Sequence, residues 1–295
     1  MRSPQGSTTT ATRSSDLTAL DALAGWDAPD ARAAVVGPSG VLDVRGDVTL
    51  AGEWASVTKL VTALAVLVAV EEETLALDDP AGPPGATVRH VLAHASGMAF
   101  DSDMVLDRPG RQRIYSNRGF ELLGALVADR AGMPFSSYLA EGVLAPLGMR
   151  ATRLEGTAAA GLVGPLDDLV RLAGELLAPT LVSPATLSGA TTVAFPGLGG
   201  VLPGFGRQHP LDWGLGFEVR DGKSPHWTGT HNSPATFGHF GRSGSFLWVD
   251  PDAELALAVV GGQDFAPWCR DAWPALSDAV LDSYGLDAHA TGRRP

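Results

Sequence analysis

The sequence predicts an α+β fold, an α/β sandwich in which an antiparallel β-sheet is flanked by terminal helices and carries an inserted all-helical region. Strand-like segments lie near both ends of the 295-residue chain, and helical periodicity dominates between them. A sheet built from both ends of a chain must be completed by long-range pairing, with the middle segment inserted between its halves. We therefore expect a sheet domain at 17–75 and 210–295, and a mainly helical domain at 76–209.

The N-terminal segment predicts a tail, a short helix and a hairpin. Residues 1–16 are rich in serine, threonine and arginine and contain no apolar stretch, so we expect a disordered tail without a signal-peptide core. A short helix is expected near 17–24. Two apolar segments, 33–36 and 41–44, flank the turn sequence Gly-Pro-Ser-Gly at 37–40, which predicts a β-hairpin.

The central and C-terminal segments predict further helices and strands. A long helix is expected to begin at Ser56, and because it is apolar almost all round it must be buried on every side. Helical patterning recurs at 88–94, 119–131, 135–144 and 166–177. Glycine and proline interrupt 178–211, which predicts loops. Strand signals return at 214–220, 245–250 and 255–261, and an amphipathic helix is expected near 273–283.

Composition and charge limit the classes of function. The chain is 45% hydrophobic and 18% charged, which is typical of globular proteins, and its net charge of −12 argues against nucleic acid or an anionic membrane as a partner. The single cysteine, Cys269, excludes an internal disulfide and suits a reducing compartment. Together with the missing signal-peptide core, this predicts a cytoplasmic protein.

The most informative motif is Ser56-Val57-Thr58-Lys59 at the start of the long helix. Residues three apart on a helix share a face, which places the ammonium group of Lys59 beside the hydroxyl of Ser56. A serine becomes nucleophilic when a base takes its proton, and a lysine serves as that base if burial lowers its pKa. The alternative for the motif alone is a helix N-cap serine followed by a solvated lysine.

A second polar motif, Tyr115-Ser116-Asn117, precedes the helix predicted at 119–131. The phenol of Tyr115 can transfer protons if nearby cations lower its pKa, and the amide of Asn117 can bind a substrate carbonyl. The alternative is a tyrosine that packs beside a helix cap.

A third motif is the glycine-rich segment 238–244, which leads into a strand. Glycines beside a strand allow a close backbone approach, so the N–H of Arg242 and that of Ser56 can form an oxyanion hole. A hairpin turn is the alternative. His90 and His94 lie one helical turn apart, but Val91 stands where a zincin needs glutamate, so structural histidines are favoured. No metal and no organic cofactor is predicted.

Ser56-Val57-Thr58-Lys59, Tyr115-Ser116-Asn117 and His239-Phe240-Gly241 occur in an order that resembles the serine β-lactamase and penicillin-binding-protein superfamily. The chain looks most like the class C β-lactamase branch, with its esterases and D-amino-acid peptidases. Connecting segments at 90–98, 213–217 and 238–251 are also similar to that branch. The resemblance covers about 17–284 and implies a β-lactamase/transpeptidase-like fold.

The resemblance also implies roles for individual residues. Ser56 would be the acylated nucleophile, and Lys59 and Tyr115 would share general-base work. The substrate-binding residues that it implies are Asn117, His239, Gly241 and Arg242, with the N–H groups of Ser56 and Arg242 as the oxyanion hole. Many relatives carry lysine where His239 stands, which weakens the case for a fixed cation that binds a substrate carboxylate.

We therefore predict a serine hydrolase that cleaves a small ester or amide through an acyl-serine intermediate. The neutral histidine and the missing export signal favour an esterase or amidase over a true β-lactamase. The catalytic alternatives are an acyltransferase or transesterase, and a D,D-peptidase or β-lactamase. An alternative of another class is a non-catalytic ligand-binding or sensor protein. The expected partner is a small-molecule ester, amide or lactam, with neither nucleic acid nor membrane involved.

Overall fold

Strands from both ends of the chain pair in the centre of the fold. The structure is a computed structural model that describes residues 18–285; the tail predicted at 1–16 lies outside the described residues. In chain order the strands are β1 (Arg32–Gly37), β2 (Gly40–Arg45), β3 (Ala51–Glu53), β4 (Arg153–Leu154), β5 (Leu162–Pro165), β6 (Gly200–Leu202), β7 (Gly206–Gln208), β8 (Glu218–Val219), β9 (Phe237–Phe240), β10 (Phe246–Asp250) and β11 (Leu255–Val260).

The main sheet has six strands in the order β2-β1-β11-β10-β9-β8, and every neighbouring pair is antiparallel. The interior strand β1, between β2 and β11, is buried along its whole length. Ala34 and Val36 pack into one hydrophobic core, while Ala33 and Val35 pack into a second core on the opposite face. Because both faces are covered, β1 is apolar from Ala33 to Val36 instead of alternating with polar residues.

Helices cover both faces of this sheet. They are α1 (Thr58–Glu71), α2 (Val88–Leu92), α3 (Asn117–Ala131), α4 (Phe135–Leu139), α5 (Leu166–Leu177), α6 (Pro184–Thr191) and α7 (Cys269–Tyr284), with 3-10 helices at Ala19–Gly25 and Ala55–Val57 and a π-helix at Ala140–Leu144. The N-terminal 3-10 helix packs with α7 on one face, and α1 and α5 lie in the core on the other. The predicted α+β fold class is confirmed. No helix within 18–285 is long and apolar enough to span a membrane.

Several local predictions were wrong. The segment 178–211, predicted as loops, contains α6 and the β6–β7 hairpin. Ser183 caps α6 by accepting a hydrogen bond from the Thr186 N–H at 3.1 Å, a start signal that the proline and glycine content obscured. The strand predicted at 214–220 shrinks to β8, because Gly216 has φ +94° and its backbone lies against Ala63.

The small sheet β3-β5-β4 was not predicted, since its strands are two to four residues long. Helix α5 falls within the segment predicted as the inserted domain, yet it packs on β1, β10 and β11 of the main sheet. The division into two domains stays a prediction.

Candidate active site

Ser56 lies in a backbone turn that holds it against the main sheet. It belongs to the 3-10 turn before α1, and the preceding Ala55 has φ +44°, in the left-handed region that disfavours a non-glycine residue. The backbone of Gly241, just after β9, approaches closely: a Cβ there would lie 2.5 Å from the Trp54 carbonyl oxygen and 3.0 Å from the Ser56 nitrogen. The sheet edge and the turn can meet only because residue 241 is glycine.

Two backbone N–H groups meet at this contact. Within residues 18–285, the N–H groups of Ser56 and Arg242 donate to no other group of the protein. They lie on the two segments that meet here, since Gly241 precedes Arg242 and a Cβ on Gly241 would lie 3.0 Å from the Ser56 nitrogen. Free backbone donors of this kind are what an oxyanion hole requires.

Lys59 is completely buried one helical turn after Ser56. Its Nζ lies within hydrogen-bond distance of three oxygens: Ser56 Oγ at 3.2 Å, Asn117 Oδ1 at 2.7 Å and the Ala159 carbonyl at 2.9 Å. None of these partners is a carboxylate, so nothing in direct contact offsets the cost of burying the charge. Burial holds the pKa of Lys59 well below its usual value, and the charge of Glu121 acts in the opposite direction.

A helix cap places the second motif. Ser116 caps α3 by accepting a hydrogen bond from the Gly119 N–H at 3.0 Å, and its hydroxyl donates to the Ala99 carbonyl at 2.6 Å. Tyr115 and Asn117 therefore lie on either side of a fixed residue, and both reach Lys59. The Lys59 Nζ lies 4.8 Å from the centre of the Tyr115 ring.

Tyr115 is held as a neutral phenol. Its ring packs against His94 and His239, with ring centres 4.6 Å and 5.7 Å away. Burial raises its pKa, and a hydrogen bond to Ser56 acts in the opposite direction. The role predicted from sequence for Tyr115 required nearby cations to lower this pKa. In the structure the pKa is raised instead, because the effect of desolvation is larger than that of the hydrogen bond to Ser56.

His94 contributes to the site in a way that sequence reasoning missed. Its Nδ1 lies 3.1 Å from the Ser116 nitrogen and accepts that N–H, so its ring is neutral and carries its proton on Nε2. Burial also lowers the pKa of His94 well below its usual value. The backbone of His94 has φ +53°. Its ring packs against the ring of Tyr115. His90 instead contacts Thr87, and the described part of the chain contains no metal-binding group of side chains.

His239 lies on β9 and is also neutral. Its Nδ1–H donates to the Phe240 carbonyl at 2.7 Å, which leaves Nε2 as an acceptor 3.4 Å from the Tyr115 hydroxyl. Burial, with a smaller effect from the charge of Lys59, lowers the pKa of His239 to about 3. The position therefore supplies no cation at neutral pH. The neighbouring Arg242 is exposed.

A pocket of about 260 Å³ opens above Ser56. It is lined by Ser56, Phe100, Tyr115, Leu202, Pro203, Gly204, Trp213, His239, Phe240, Arg242 and Phe265. Most of these side chains are aromatic or aliphatic, and Arg242 is the charged member of the set. A larger groove of about 580 Å³ beside α6 contains none of the predicted site residues. The structure thus brings the predicted residues together and adds an apolar wall that the motifs did not indicate.

Known proteins resemble the chain in sequence and fold. A family model described as Beta-lactamase matches residues 51–278. A crystal structure of a beta-lactamase from Mycobacterium bovis is 56% identical, with a TM-score of 0.90 over 91% of this chain and 100% of that one. A mutant of simvastatin synthase (LovD) from Aspergillus terreus is 18% identical, with a TM-score of 0.73 over 90% of this chain and 93% of that one, a similarity of fold.

EstCE1, a hydrolase with promiscuous acyltransferase activity, is also 18% identical, with a TM-score of 0.73 over 89% of this chain and 96% of that one. Penicillin-binding protein 4* from Bacillus subtilis is 28% identical over a match that covers 35% of this chain. That match spans 30% of the length of the Bacillus protein, so the chain matches less than a third of that relative.

Proposed function

The chain belongs to the beta-lactamase family, and on that premise we propose that it is a serine hydrolase that cleaves a small ester or amide through an acyl-Ser56 intermediate. The observation that carries the proposal is the 3.2 Å contact between the Ser56 hydroxyl and the buried amine of Lys59, a lysine without a carboxylate partner. A neutral amine at hydrogen-bond distance is a general base for the hydroxyl.

In the proposed acylation, Ser56 Oγ forms a bond to the substrate carbonyl carbon while its proton passes to Lys59 Nζ. The N–H groups of Ser56 and Arg242 bind the oxygen that becomes negative. The tetrahedral intermediate collapses, and the bond to the leaving alcohol or amine breaks. The leaving group takes up a proton from the phenol of Tyr115, which is replenished from the Lys59 ammonium group.

Deacylation uses Lys59 as the base again. A water molecule attacks the acyl carbon, gives its proton to the neutral Lys59 and displaces Ser56 Oγ, which regains a proton as the acid is released. The raised pKa of Tyr115 favours a phenol that donates over a tyrosinate that accepts, so Lys59 is the base in both steps.

The charge of the pocket supports a neutral substrate. His239 is neutral and Arg242 is exposed at the mouth, so a substrate carboxylate lacks a buried cation. This favours a neutral ester or amide over an anionic β-lactam or a peptide carboxylate. The M. bovis protein 56% identical to this chain carries the name beta-lactamase, which is why lactams belong in the substrate panel.

A second candidate is acyl transfer to an alcohol or amine. The apolar lining of the pocket favours it, because an organic acceptor can bind there in place of water. Two structures of the same fold are named as a synthase of simvastatin and as a hydrolase with acyltransferase activity. Product analysis with added alcohols separates transfer from hydrolysis.

Substitution of the nucleophile tests the proposal. We expect Ser56→Ala to lower kcat/KM at least about a thousandfold toward whichever of p-nitrophenyl acetate, an acyl p-nitroanilide or a chromogenic cephalosporin the wild type hydrolyses. Ser39→Ala, in the exposed β1–β2 turn, is the matched control and should behave as wild type. Full turnover in Ser56→Ala would refute the proposal. A wild type inactive on the whole panel would favour the ligand-binding alternative.

The pH profile tests the identity of the base. Only the neutral amine accepts a proton, so activity should rise as pH increases through the lowered pKa of Lys59 and then level off. The charge of Glu121 raises this pKa, so Glu121→Gln should move the rising limb to lower pH. Measurement of kcat/KM against pH for both proteins checks this. A flat profile, or an unmoved limb in Glu121→Gln, would contradict Lys59 as the base.

A further inference from the structure

Large apolar side chains are exposed on two segments that include or adjoin pocket-lining residues. Phe100, Met104, Val105, Leu106 and Val201, which we call the apolar rim, are each between 50% and 64% exposed. Single exposed apolar residues are common on protein surfaces. A contiguous patch of them is unusual and more often marks a binding site.

The rim is continuous with the pocket. Phe100 both lines the pocket and belongs to the rim, and the rim residue Val201 precedes the lining residue Leu202. A short hairpin carries the other members: the Ala99 N–H donates to the Met104 carbonyl at 2.8 Å. Phe100 and the Val201–Leu202 segment therefore connect the pocket above Ser56 with exposed apolar side chains.

Backbone hydrogen bonds attach the rim to the catalytic motif. The Asn117 N–H donates to the Phe100 carbonyl at 2.7 Å, and the Arg113 N–H donates to the Gly199 carbonyl at 2.9 Å, just before β6. The rim is thus held in a fixed position relative to Ser56. A substrate bound at the rim would therefore be oriented relative to Ser56, and orientation of the substrate raises the rate of catalysis as well as the affinity.

Charge distinguishes between the possible occupants of this surface. Asp101, Asp103 and Asp107 lie on the same hairpin as the rim; Asp103 is paired with Arg118 at 2.6 Å, and the chain as a whole carries a net charge of −12. An anionic lipid surface would be repelled by Asp101 and Asp107 and by the net charge of the chain. An uncharged hydrocarbon chain, in contrast, contacts the apolar side chains without electrostatic repulsion from the carboxylates.

We infer that the apolar rim binds a long hydrocarbon chain of an ester substrate, whose carbonyl carbon lies at Ser56 and whose chain passes through the pocket to the surface. The inference rests on the proposed function and narrows its substrate to neutral esters with an extended apolar arm. That arm is the acyl chain or the alkyl chain of the alcohol. Each methylene buried should raise kcat/KM about two- to fourfold until the rim is filled.

The experiment uses two series of esters with the whole protein. The first series is p-nitrophenyl acetate, butyrate, octanoate and laurate, and the second is the acetates of ethanol, butanol and octanol, all below their critical micelle concentrations. We expect kcat/KM to rise with length in one series, which identifies the arm. In that series Met104→Ser and Leu106→Ser should lower the ratio of long-chain to short-chain kcat/KM about fivefold. Val44→Ser, at a position on β2 that is 47% exposed, should leave the ratio unchanged.

Several results would overturn the inference. If kcat/KM is flat or falls beyond the shortest esters in both series, the rim does not bind the substrate, while the proposed function stands as long as Ser56→Ala abolishes hydrolysis of the short esters. Binding of the protein to neutral phosphatidylcholine vesicles, lost in Met104→Ser without any chain-length effect, would assign the rim to a membrane instead. If no ester is hydrolysed the inference fails, and the proposed function fails with it when the acyl p-nitroanilide and the chromogenic cephalosporin are also left intact.

Discussion

Replacing Lys59 with methionine should lower kcat/KM about a thousandfold or more while the protein remains folded. Methionine keeps an unbranched four-atom apolar side chain and lacks the terminal amine, so Ser56 loses the base 3.2 Å from its hydroxyl. Burial of the new side chain is favourable, since it removes the cost of an uncompensated amine in the core. Steady-state kinetics, together with thermal unfolding, separate loss of the base from loss of the fold.

The matched control for Lys59→Met is Thr62→Val, one turn further along α1. Thr62 donates to the Ala158 carbonyl at 2.6 Å, just as Lys59 donates to that of Ala159 at 2.9 Å. Thr62→Val therefore removes a hydrogen bond to the same loop without touching Ser56, and it should keep kcat/KM within about tenfold of wild type. Activity of Lys59→Met close to that of wild type would exclude Lys59 as the base.

Replacing Arg113 with alanine should have the largest effect on stability. Arg113 is 2% exposed, and its guanidinium group donates to the carbonyls of Leu211, at 2.7 Å, and of Ala93, Ala194 and Phe195. Burial lowers the pKa of Arg113 to about 10, so the group is still charged at neutral pH. The substitution leaves several buried carbonyls without a donor and opens a cavity, so we expect a loss of about 3–5 kcal/mol in the free energy of unfolding.

The control for Arg113→Ala is Arg153→Ala, since the Arg153 side chain is 65% exposed and pairs with Glu155 at the surface. A substitution there should change the free energy of unfolding by less than about 0.5 kcal/mol. Urea denaturation of both variants measures the difference. If Arg113→Ala unfolds at the same urea concentration as Arg153→Ala, the buried guanidinium does not hold these segments together.

Local pattern predicted the parts of the fold that depend on neighbours in sequence. The apolar segment after Lys59 identified α1 as buried on all sides, and the period of 166–177 gave α5 with its observed bounds. The strands near both ends were recognised because they are apolar and five or six residues long. Short elements such as β6 and β7 carry too few residues for any period to be visible.

Spacing within motifs predicted the chemistry of the site, but not its surroundings. The three-residue interval between Ser56 and Lys59 was sufficient to place hydroxyl beside amine. The carbonyl of Ala159 also holds Lys59, and it is 100 residues away in sequence, a contact that only the folded chain brings about.

The wall of the site was missed for the same reason. Phe265 and Leu202 line the pocket from segments without a motif, and His94 was interpreted, with His90, as a structural histidine after a zinc site had been weighed. Its φ of +53° and its contact with Ser116 were not visible in the residue pattern. Even the direction of the Tyr115 pKa shift depends on burial, which spacing does not report.

The most direct test of the central claim, an acylable Ser56 activated by Lys59, is the intact-protein mass after exposure to a fluorophosphonate probe. We expect a single adduct in wild type that maps to Ser56, no adduct in Ser56→Ala, and formation slowed at least about a hundredfold in Lys59→Met. An adduct that forms at the wild-type rate in Lys59→Met, one that maps to another residue, or no adduct in wild type would contradict the claim.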